Sequence, residues 1–317
     1  MRAVGVSEFG GPEALHVVDL PQPVPGEGEV RLRVQAATVN PTDTGLRAGW
    51  YGPRLENQQP PYVPGMDAAG VVDALGPGVD PADVGWQVGD EVMAIVLPTE
   101  PRKGAYAEQV VVPAQSVVRI PEGSDVVAAS TLPMNGLTAR VALDQLALLP
   151  GQTLAVTGAA GAFGGYVVQL AKTRGLRVIA DASEADEQLV RDLGADEIVR
   201  RGDDVADRIR GLVPEGVDGL ADGAVQSEKV VAAIKDGGGM AVVRGWDGDP
   251  GRGIRVHKTM VFGHARDTAA LEDLREKVEQ GTVTLRVART YPAEQASEAH
   301  EALEAGGVRG RLVLTFD

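Results

Sequence analysis

Small residues cluster in the stretch LAVTGAAGAFGGYVVQLAK, residues 154–172, between a short apolar run and a longer one. Gly161 and Gly164 stand at the second and third glycine positions of the dinucleotide-binding pattern G-x-G-x-x-G, and Ala159 stands at the first. A glycine at the second position lets the backbone approach a pyrophosphate, and one at the third lets a helix pack closely on a strand. The first turn of such a helix adds N–H donors and the positive end of the helix dipole. Small residues also suit a turn that binds nothing, so the flanking elements must decide.

The elements on either side of this stretch favour dinucleotide binding. Residues 153–156 have the pattern of a strand that ends at Gly158, and residues 163–172 suit a helix. A second strand, LRVIADAS at residues 176–183, follows at the spacing of a β–α–β unit. The residues expected around the cofactor in this turn are Gly158, Ala160, Gly161, Ala162, Phe163 and Gly164.

The rest of the chain changes its pattern twice. Up to residue 120, short Val- and Leu-rich runs are broken by Pro, Gly and Asp, and Val30, Leu32 and Val34 alternate as in a strand. Beyond residue 121, helical patterns alternate with apolar strands, which predicts crossover connections and a parallel sheet. The strands expected there are TLAVTG, RVIADA, EIV, GLADGA, MAVVRG and MVFGH. After His264 we expect a helix, a strand near Leu285, a second helix and the strand RLVLTF.

Composition excludes several classes of protein and site. The chain has 317 residues, of which 44% are hydrophobic and 24% charged, as expected for a soluble globular protein with two domains. It has no cysteine, so neither a disulfide nor a thiolate zinc site is available. A net charge of −15 disfavours nucleic acids and anionic membrane surfaces as partners. No signal-peptide pattern and no apolar run of ~20 residues is present, which predicts a cytoplasmic protein.

Seven segments, in order along nearly the whole chain, carry a family resemblance. They are VNPTDTGLRAGWY (39–51), YVPGMDAAGVV (62–72), VGDEV (88–92), GAYAEQVVV (104–112), LPMNGLTA (132–139), the glycine-rich stretch, and LGADEIV (193–199). The chain resembles the medium-chain dehydrogenases/reductases, and among them the zinc-independent quinone oxidoreductases. The resemblance implies an α/β fold in which a GroES-like β-domain, residues 1–120 and 265–317, holds an inserted Rossmann domain with a doubly wound parallel sheet, residues 121–264. It places the active site in the cleft between these domains and implies a homodimer, for which the region from GGGMAVVRG to MVFGH is a candidate contact.

The same comparison bears on catalytic zinc. In zinc-dependent relatives a cysteine stands at the position of Asn40, and a His-Glu pair stands at Met66 and Asp67. An amide and a thioether are poor ligands for Zn²⁺ beside thiolate and imidazole. We therefore expect no metal. Without a metal to stabilise an alkoxide, hydride transfer to a quinone or an α,β-unsaturated carbonyl is favoured, because such acceptors spread the developing charge over their own π-system.

Three residues are candidates for catalysis by this resemblance. Asn40 would donate to the substrate oxygen, or alternatively hold the turn before Pro41. Tyr51 would protonate or orient the substrate, or lie at the edge of the cleft with its apolar ring packed. Thr138 is expected near the nicotinamide, with packing as the alternative. Asp43 is expected to fix the following helix start.

The residues expected near the ribose 2′-position of the coenzyme do not by themselves decide between NADH and NADPH. Asp181 would accept from a ribose 2′-hydroxyl, as in NAD-binding proteins. Ser183 is retained from the NADPH-preferring pattern, Asp186 replaces its usual lysine, and Arg201 would clamp a 2′-phosphate. NADPH is preferred over NADH on this basis. Trp246 and Phe262 are expected to border the nicotinamide, with core packing as the alternative.

The function expected is therefore NADPH-dependent reduction of a small electrophile, a quinone or enone, without metal. One alternative is an enoyl-thioester reductase of the fatty-acid or polyketide type. Another, of a different class, is a redox sensor that binds NADPH without turnover, which the lack of an evident acid or base would suit.

Overall fold

The computed structural model describes residues 1–317, which form two compact units. The first unit contains Met1–Met134, Phe262–Gln280 and Leu285–Asp317, and the second contains Asn135–Val261 and Gly281–Thr284. The domain limits predicted from the sequence, residues 120 and 265, differ from these bounds and stay a prediction.

Fifteen strands form the sheets of the two units. In chain order they are β1 (Arg2–Gly5), β2 (His16–Asp19), β3 (Glu29–Thr38), β4 (Asp67–Leu75), β5 (Glu91–Ile95), β6 (Gln109–Pro113), β7 (Val117–Arg119), β8 (Thr153–Thr157), β9 (Arg177–Ala182), β10 (Glu197–Arg200), β11 (Val217–Asp222), β12 (Ile234–Val242), β13 (Arg255–Lys258), β14 (Val287–Pro292) and β15 (Arg311–Thr315).

Ten α-helices and six 3-10 segments connect the strands. The helices are α1 (Pro41–Arg47), α2 (Gly52–Leu55), α3 (Pro81–Val84), α4 (Val126–Ala129), α5 (Pro133–Leu146), α6 (Ala162–Thr173), α7 (Glu187–Asp192), α8 (Val205–Leu212), α9 (Thr268–Glu279) and α10 (Ala296–Ala305). The 3-10 segments are Pro12–Ala14, Ala114–Ser116, Glu184–Asp186, Ser227–Ala233, Val261–His264 and Ala293–Gln295. None of the helices is both long and apolar enough to cross a membrane.

The second unit is built on a six-stranded sheet in the order β10-β9-β8-β11-β12-β13, with every neighbouring pair parallel. In chain order within the unit this is 3-2-1-4-5-6, the doubly wound arrangement of dinucleotide-binding domains. Every residue of β8 is buried, as expected for a central parallel strand covered on both faces. The strand order reverses between β8 and β11, so ligands are expected beyond the carboxyl ends of these two strands.

One strand of this sheet differs from the sequence analysis. The sixth strand is Arg255–Lys258, and the predicted strand MVFGH is wrong because Val261–His264 form a 3-10 turn. A short apolar run does not by itself distinguish a strand from another buried segment. The sheet instead takes up RVHK, whose two middle residues are half-buried at its edge.

The first unit is built on β3, which pairs with β15, β4 and β6 in a seven-stranded sheet. The alternation predicted for Val30, Leu32 and Val34 is confirmed, because all three are buried on one face of β3. The C-terminal segment contributes β14, β15 and α10 to the same unit, so the two ends of the chain fold together.

Candidate functional site

The glycine-rich turn connects β8 to α6, which begins at Ala162. Gly158 has φ +67°, and a Cβ there would lie 2.8 Å from the carbonyl carbon of Gly223, at the end of β11. A Cβ on Gly164 would lie 2.3 Å from the carbonyl oxygen of Gly158. Both positions therefore need glycine for the turn itself, and Gly164 gives the close helix packing expected of the third fingerprint position.

The turn presents its small residues at the carboxyl end of β8. Gly161 caps α6, and Gly158, Gly161 and Ala162 are partly exposed, whereas Ala160 is buried. Phe163 is buried, and its ring lies 3.0 Å from where a Cβ on Gly223 would be, so it packs over the end of β11. The twelve residues of α6 direct their N-terminus at this accessible surface, which suits an anion.

Asp181 ties the second strand to this turn. Its Oδ1 accepts a hydrogen bond from the N–H of Ala159 at 3.1 Å, and the residue is only 4% exposed. Burial raises its pKa, while the N–H of Ala159 and the charge of Arg201 oppose the rise. One carboxylate oxygen of Asp181 is therefore bonded to the glycine-rich turn and is not left to accept from a ribose hydroxyl.

Beyond Asp181, the rim of the sheet carries charges of both signs. The hydroxyl of Ser183 donates to Oδ2 of Asp186 at 2.5 Å, and Asp186 is buried. Arg200 faces Glu187 at 3.3 Å, whereas the side chain of Arg201 is exposed. The hydroxyl of Ser183 is therefore bonded to a buried carboxylate, and Arg200 and Arg201 are both exposed cations.

Hydrogen bonds to the carboxylate of Asp222 hold the residues that follow β11, and the sequence did not predict them. Oδ1 of Asp222 accepts from the hydroxyl of Thr157 at 2.7 Å and from the N–H of Gln226 at 3.1 Å, and Oδ2 accepts from the N–H of Ser227 at 2.7 Å. Val225 and Ser227 have φ of +55° and +52°, a strained backbone for non-glycine residues. The only signal in the sequence was an aspartate closing the apolar strand GLAD.

Two further candidates lie in the second unit. Thr138 is on α5 and is 8% exposed. Trp246 is half-buried and, like Val231 and Val256, packs against the core of the sheet. This contact is compatible with the packing alternative, and a place for Trp246 beside the nicotinamide stays a prediction.

In the first unit, Asn40 precedes α1 and is completely buried. Its side-chain amide donates to Oδ2 of Asp67 at 2.8 Å and to the carbonyl of Thr38 at 3.2 Å, and its Oδ1 accepts from Arg311. Both amide N–H groups of Asn40 are thereby used inside the protein. This arrangement holds the turn before Pro41, the second of the two roles weighed for Asn40.

Asp67, next to Asn40, is also completely buried. Its Oδ1 accepts from the N–H of Met134 at 2.6 Å. Burial raises the pKa of Asp67 to about 6, and the guanidinium of Arg311 opposes the rise. Arg311 is itself 6% exposed and donates to the carbonyl of Val39, so a buried cation faces the buried carboxylate.

Asp43 fixes the start of α1, as predicted. Its Oδ2 accepts from the N–H of Asn40 at 2.8 Å, and its Oδ1 accepts from the N–H of Gly65 at 3.0 Å. Burial raises the pKa of Asp43 to about 7, and the hydrogen bonds from these two N–H groups oppose the rise.

Tyr51 and Phe262 come together in the first unit. Their ring centroids are 6.4 Å apart in an edge-to-face arrangement, and the guanidinium of Arg54 lies 4.5 Å above the Phe262 ring. Both rings are half-buried and Arg54 is exposed. The three residues form an accessible aromatic surface with a cation at its edge.

Ligands for a metal are not assembled anywhere in the chain. No group of three or more His, Cys, Asp or Glu side chains is placed to hold an ion. Of the three positions discussed for zinc, Asn40 and Asp67 bond to each other and to neighbouring groups instead.

Comparisons with known proteins cover the whole chain. Residues 26–122 match the family model described as Alcohol dehydrogenase GroES-like domain, and residues 193–314 match the one described as Zinc-binding dehydrogenase. The quinone oxidoreductase of Lama guanicoe is 30% identical over 337 residues, spanning 99% of this chain and 97% of that protein.

Solved structures give the same fold. A native mycobacterial protein complexed with NADPH matches with a TM-score of 0.89 at 30% identity, and an NAD-dependent alcohol dehydrogenase with 0.86 at 32%. In both, the match covers 100% of this chain and of the other. A GroES-like segment, a parallel sheet in the doubly wound order and relatives of matching length agree, and the chain belongs to the medium-chain dehydrogenase/reductase family of oxidoreductases, in its zinc-independent quinone oxidoreductase branch.

Proposed function

We propose that this oxidoreductase uses NADPH to reduce a quinone or an α,β-unsaturated carbonyl without a metal. The observation that carries the proposal is the glycine-rich turn at the point where the strand order reverses, between β8 and β11. The mycobacterial relative solved with NADPH and the quinone oxidoreductase of Lama guanicoe support the choice of coenzyme and substrate class.

The residues of the turn fit a dinucleotide. Gly161 and Ala162 leave the start of α6 accessible, and their small size admits a pyrophosphate to the helix N-terminus. Gly158, Ala160, Phe163 and Gly164 shape the turn behind them. Reduced nicotinamide supplies the hydride when it is bound.

The residues of the first unit do not fit zinc, although one matching family model is described as zinc-binding. The chain offers no thiolate, and Asn40 already donates to Asp67, whose other oxygen accepts from Met134. A conjugated acceptor needs mainly orientation and donors at its oxygen.

Tyr51 and Thr138 are the candidates for contact with the acceptor in this proposal. Tyr51 carries a hydroxyl on a half-buried ring that packs against Phe262, and this suits it to orient a planar conjugated substrate. Asn40, with both amide N–H groups donated inside the protein, holds its turn in place. Phe262 supports Tyr51 and remains a candidate for the nicotinamide.

NADH is the second coenzyme candidate, and a specific contact favours it. Ser183 donates to the buried carboxylate of Asp186, so neither side chain is arranged for a 2′-phosphate. Arg201 is the exposed cation that favours NADPH. Titration of the protein with both coenzymes decides between them.

A screen of coenzyme oxidation tests the function. Purified protein, prepared without chelator, is mixed with NADPH and in turn with a 1,4-quinone, an alkenal, an enone and an enoyl thioester. We expect turnover of the quinone or the enone, and less than a tenth of an equivalent of zinc by elemental analysis. A hundredfold preference for the thioester would instead identify an enoyl-thioester reductase, and tight NADPH binding with no oxidation would identify a sensor.

The proposal includes a homodimer. Strand β13 has only β12 as a neighbour and forms one of the two open edges of the parallel sheet. Its end residues, Arg255 and Lys258, are exposed. Light scattering after size-exclusion chromatography should give twice the monomer mass, and a monomer mass at micromolar concentration would refute this part.

A further inference from the structure

A line of four polar side chains runs through the first unit from the surface to Asp43. Nη1 of Arg47 lies 3.4 Å from Nδ1 of His300, and Nε2 of His300 lies 3.1 Å from the hydroxyl of Tyr106. The Tyr106 hydroxyl lies 3.3 Å from Oδ2 of Asp43. Arg47 also donates to Glu304 at 2.6 Å, where the line meets solvent. His300, Tyr106 and Asp43 are completely buried.

The chemistry of Arg47 fixes the direction of every hydrogen bond in this line. A guanidinium only donates, so Nδ1 of His300 must accept and Nε2 must carry the proton. Nε2–H then donates to the Tyr106 oxygen, and the Tyr106 O–H donates to Asp43. Burial and the charge of Arg47 lower the pKa of His300 to about 3, so the ring stays neutral. Burial and the neighbouring Asp43 raise the pKa of Tyr106, so its proton stays in place.

The line ends on a carboxylate that has three donors. Asp43 accepts from the N–H of Asn40, from the N–H of Gly65 and from the Tyr106 hydroxyl. An ionised carboxylate accommodates all three, whereas a protonated one carries its own O–H and loses an acceptor position. Asp43 therefore joins the turn at Asn40 to the turn at Gly65, two residues before Asp67.

We propose that Asp43, Tyr106 and His300 are positioning residues for the reductase, because their hydrogen bonds fix the Asn40 turn at the start of α1, the helix that precedes the candidate residue Tyr51. This inference rests on the proposed reductase function. It assigns a role to His300, a completely buried residue of α10.

The line holds groups in place and does not deliver a proton. Arg47 does not release a proton in proteins, so nothing passes from Glu304 to His300. At the other end, Asp43 bonds to backbone N–H groups and not to a group that reacts.

The charge state of Asp43 depends on everything packed around it. Asp67 on β4 disfavours ionisation and Arg311 on β15 favours it, while the neutral Tyr106 and His300 face it from the loop before β6 and from α10, with Arg47 behind them on α1. Burial raises its pKa to about 7. The register of the two turns is therefore expected to weaken below neutral pH.

The pH profile of kcat/KM tests this role. In Tyr106→Phe, Asp43 loses its side-chain donor, so the acid limb of the profile should move upward by roughly 1 pH unit. Activity at pH 7 should fall about fivefold and recover by pH 9. His300→Gln keeps a donor for Tyr106 and should stay within about twofold of the parent, whereas His300→Leu should move the limb in the same direction as Tyr106→Phe. Glu301→Gln, an exposed neighbour on α10, is the matched control.

A spectroscopic measurement tests the direction of the hydrogen bonds without using activity. Nitrogen-15 spectra of histidine, with His300 assigned by its loss in His300→Gln, should show a neutral ring protonated at Nε2 from pH 5 to 9. Protonation at Nδ1 would overturn the proposal, and this readout also remains if His300→Leu fails to fold.

The outcomes separate the two levels of inference. An inactive parent protein would refute the proposed function, and the positioning role with it. An active parent whose acid limb is unmoved in Tyr106→Phe would refute the positioning role alone.

Discussion

Asp67 accepts the side-chain amide of Asn40 at 2.8 Å, with both residues completely buried. By the sequence resemblance, these two positions correspond to residues at the metal in zinc-dependent relatives. In this chain both side chains are bonded within the protein, since the other Asp67 oxygen accepts from the N–H of Met134 and the Asn40 oxygen accepts from Arg311. A framework that serves a metal elsewhere is therefore held together by hydrogen bonds here.

The first prediction concerns the stability that this pair confers. Asp67→Ala leaves the Asn40 amide and the buried charge of Arg311 without their carboxylate, so the free energy of unfolding should fall by about 3–5 kcal/mol. Asp67→Asn keeps the shape and one acceptor, and should lose about 1–3 kcal/mol. Urea unfolding measures both, with the exposed Glu91→Gln on β5 as control. Equal stability of Asp67→Ala and the parent would contradict the role given to this carboxylate.

The second prediction separates the packing role of a fingerprint glycine from its flexibility. Gly164→Ala would place a Cβ 2.3 Å from the carbonyl of Gly158, and should cost about 1–3 kcal/mol of stability and weaken coenzyme binding. Gly211→Ala on α8 meets nothing within 4 Å and should be neutral or stabilising by up to about 1 kcal/mol. If both variants unfold alike, close helix packing is not the reason for Gly164.

The third prediction concerns the pH dependence of stability. Burial raises the pKa of Asp43 to about 7 and that of Asp67 to about 6, from an ordinary value of 3.8. Between pH 4 and 7 the folded protein therefore binds more protons than the unfolded chain, and stability from these groups, full below pH 3.8, is lost as pH rises through the folded pKa values.

Asp43→Asn should make this decline shallower, by up to about 4 kcal/mol across the window. The measurement is the free energy of unfolding at several pH values between 4 and 8, with the exposed Asp19→Asn on β2 as control. A variant whose decline from pH 4 to 7 equals that of the parent would show that Asp43 does not titrate in this range.

The fourth prediction concerns the coenzyme. We expect NADPH to bind at least ~10-fold more tightly than NADH, roughly 1.4 kcal/mol, because the exposed Arg201 pairs with the 2′-phosphate. Arg201→Ala should remove most of this difference in calorimetric titrations. Arg200→Ala, whose side chain faces Glu187, is the control and should leave the preference intact. Equal dissociation constants for the two coenzymes in the parent protein would favour the reading in which Asp186 excludes the phosphate.

The sequence predicted the second unit well, because its signals are local. The strand before Gly158, the helix after it and the strand at residues 177–182 lie where periodicity and the glycine spacing placed them. The last strand was misplaced because Val261 and Phe262 are apolar, whereas the sheet edge takes the more polar Arg255–Lys258. At an edge, backbone pairing with β12 outweighs side-chain hydrophobicity.

By itself, the sequence determined the fold class, the family and the turn where a dinucleotide is expected, because each follows from residues close together along the chain. Only the tertiary structure decided what the polar residues of the first unit do. Asn40, Tyr106 and His300 are far apart in sequence, and the return of α10 and β15 to β3 brings their partners together in the core. Where water is excluded, each buried donor needs an acceptor within the protein. Residue type alone therefore does not tell whether a side-chain amide can bind a ligand. That depends on which distant segments pack against it and supply hydrogen-bond partners.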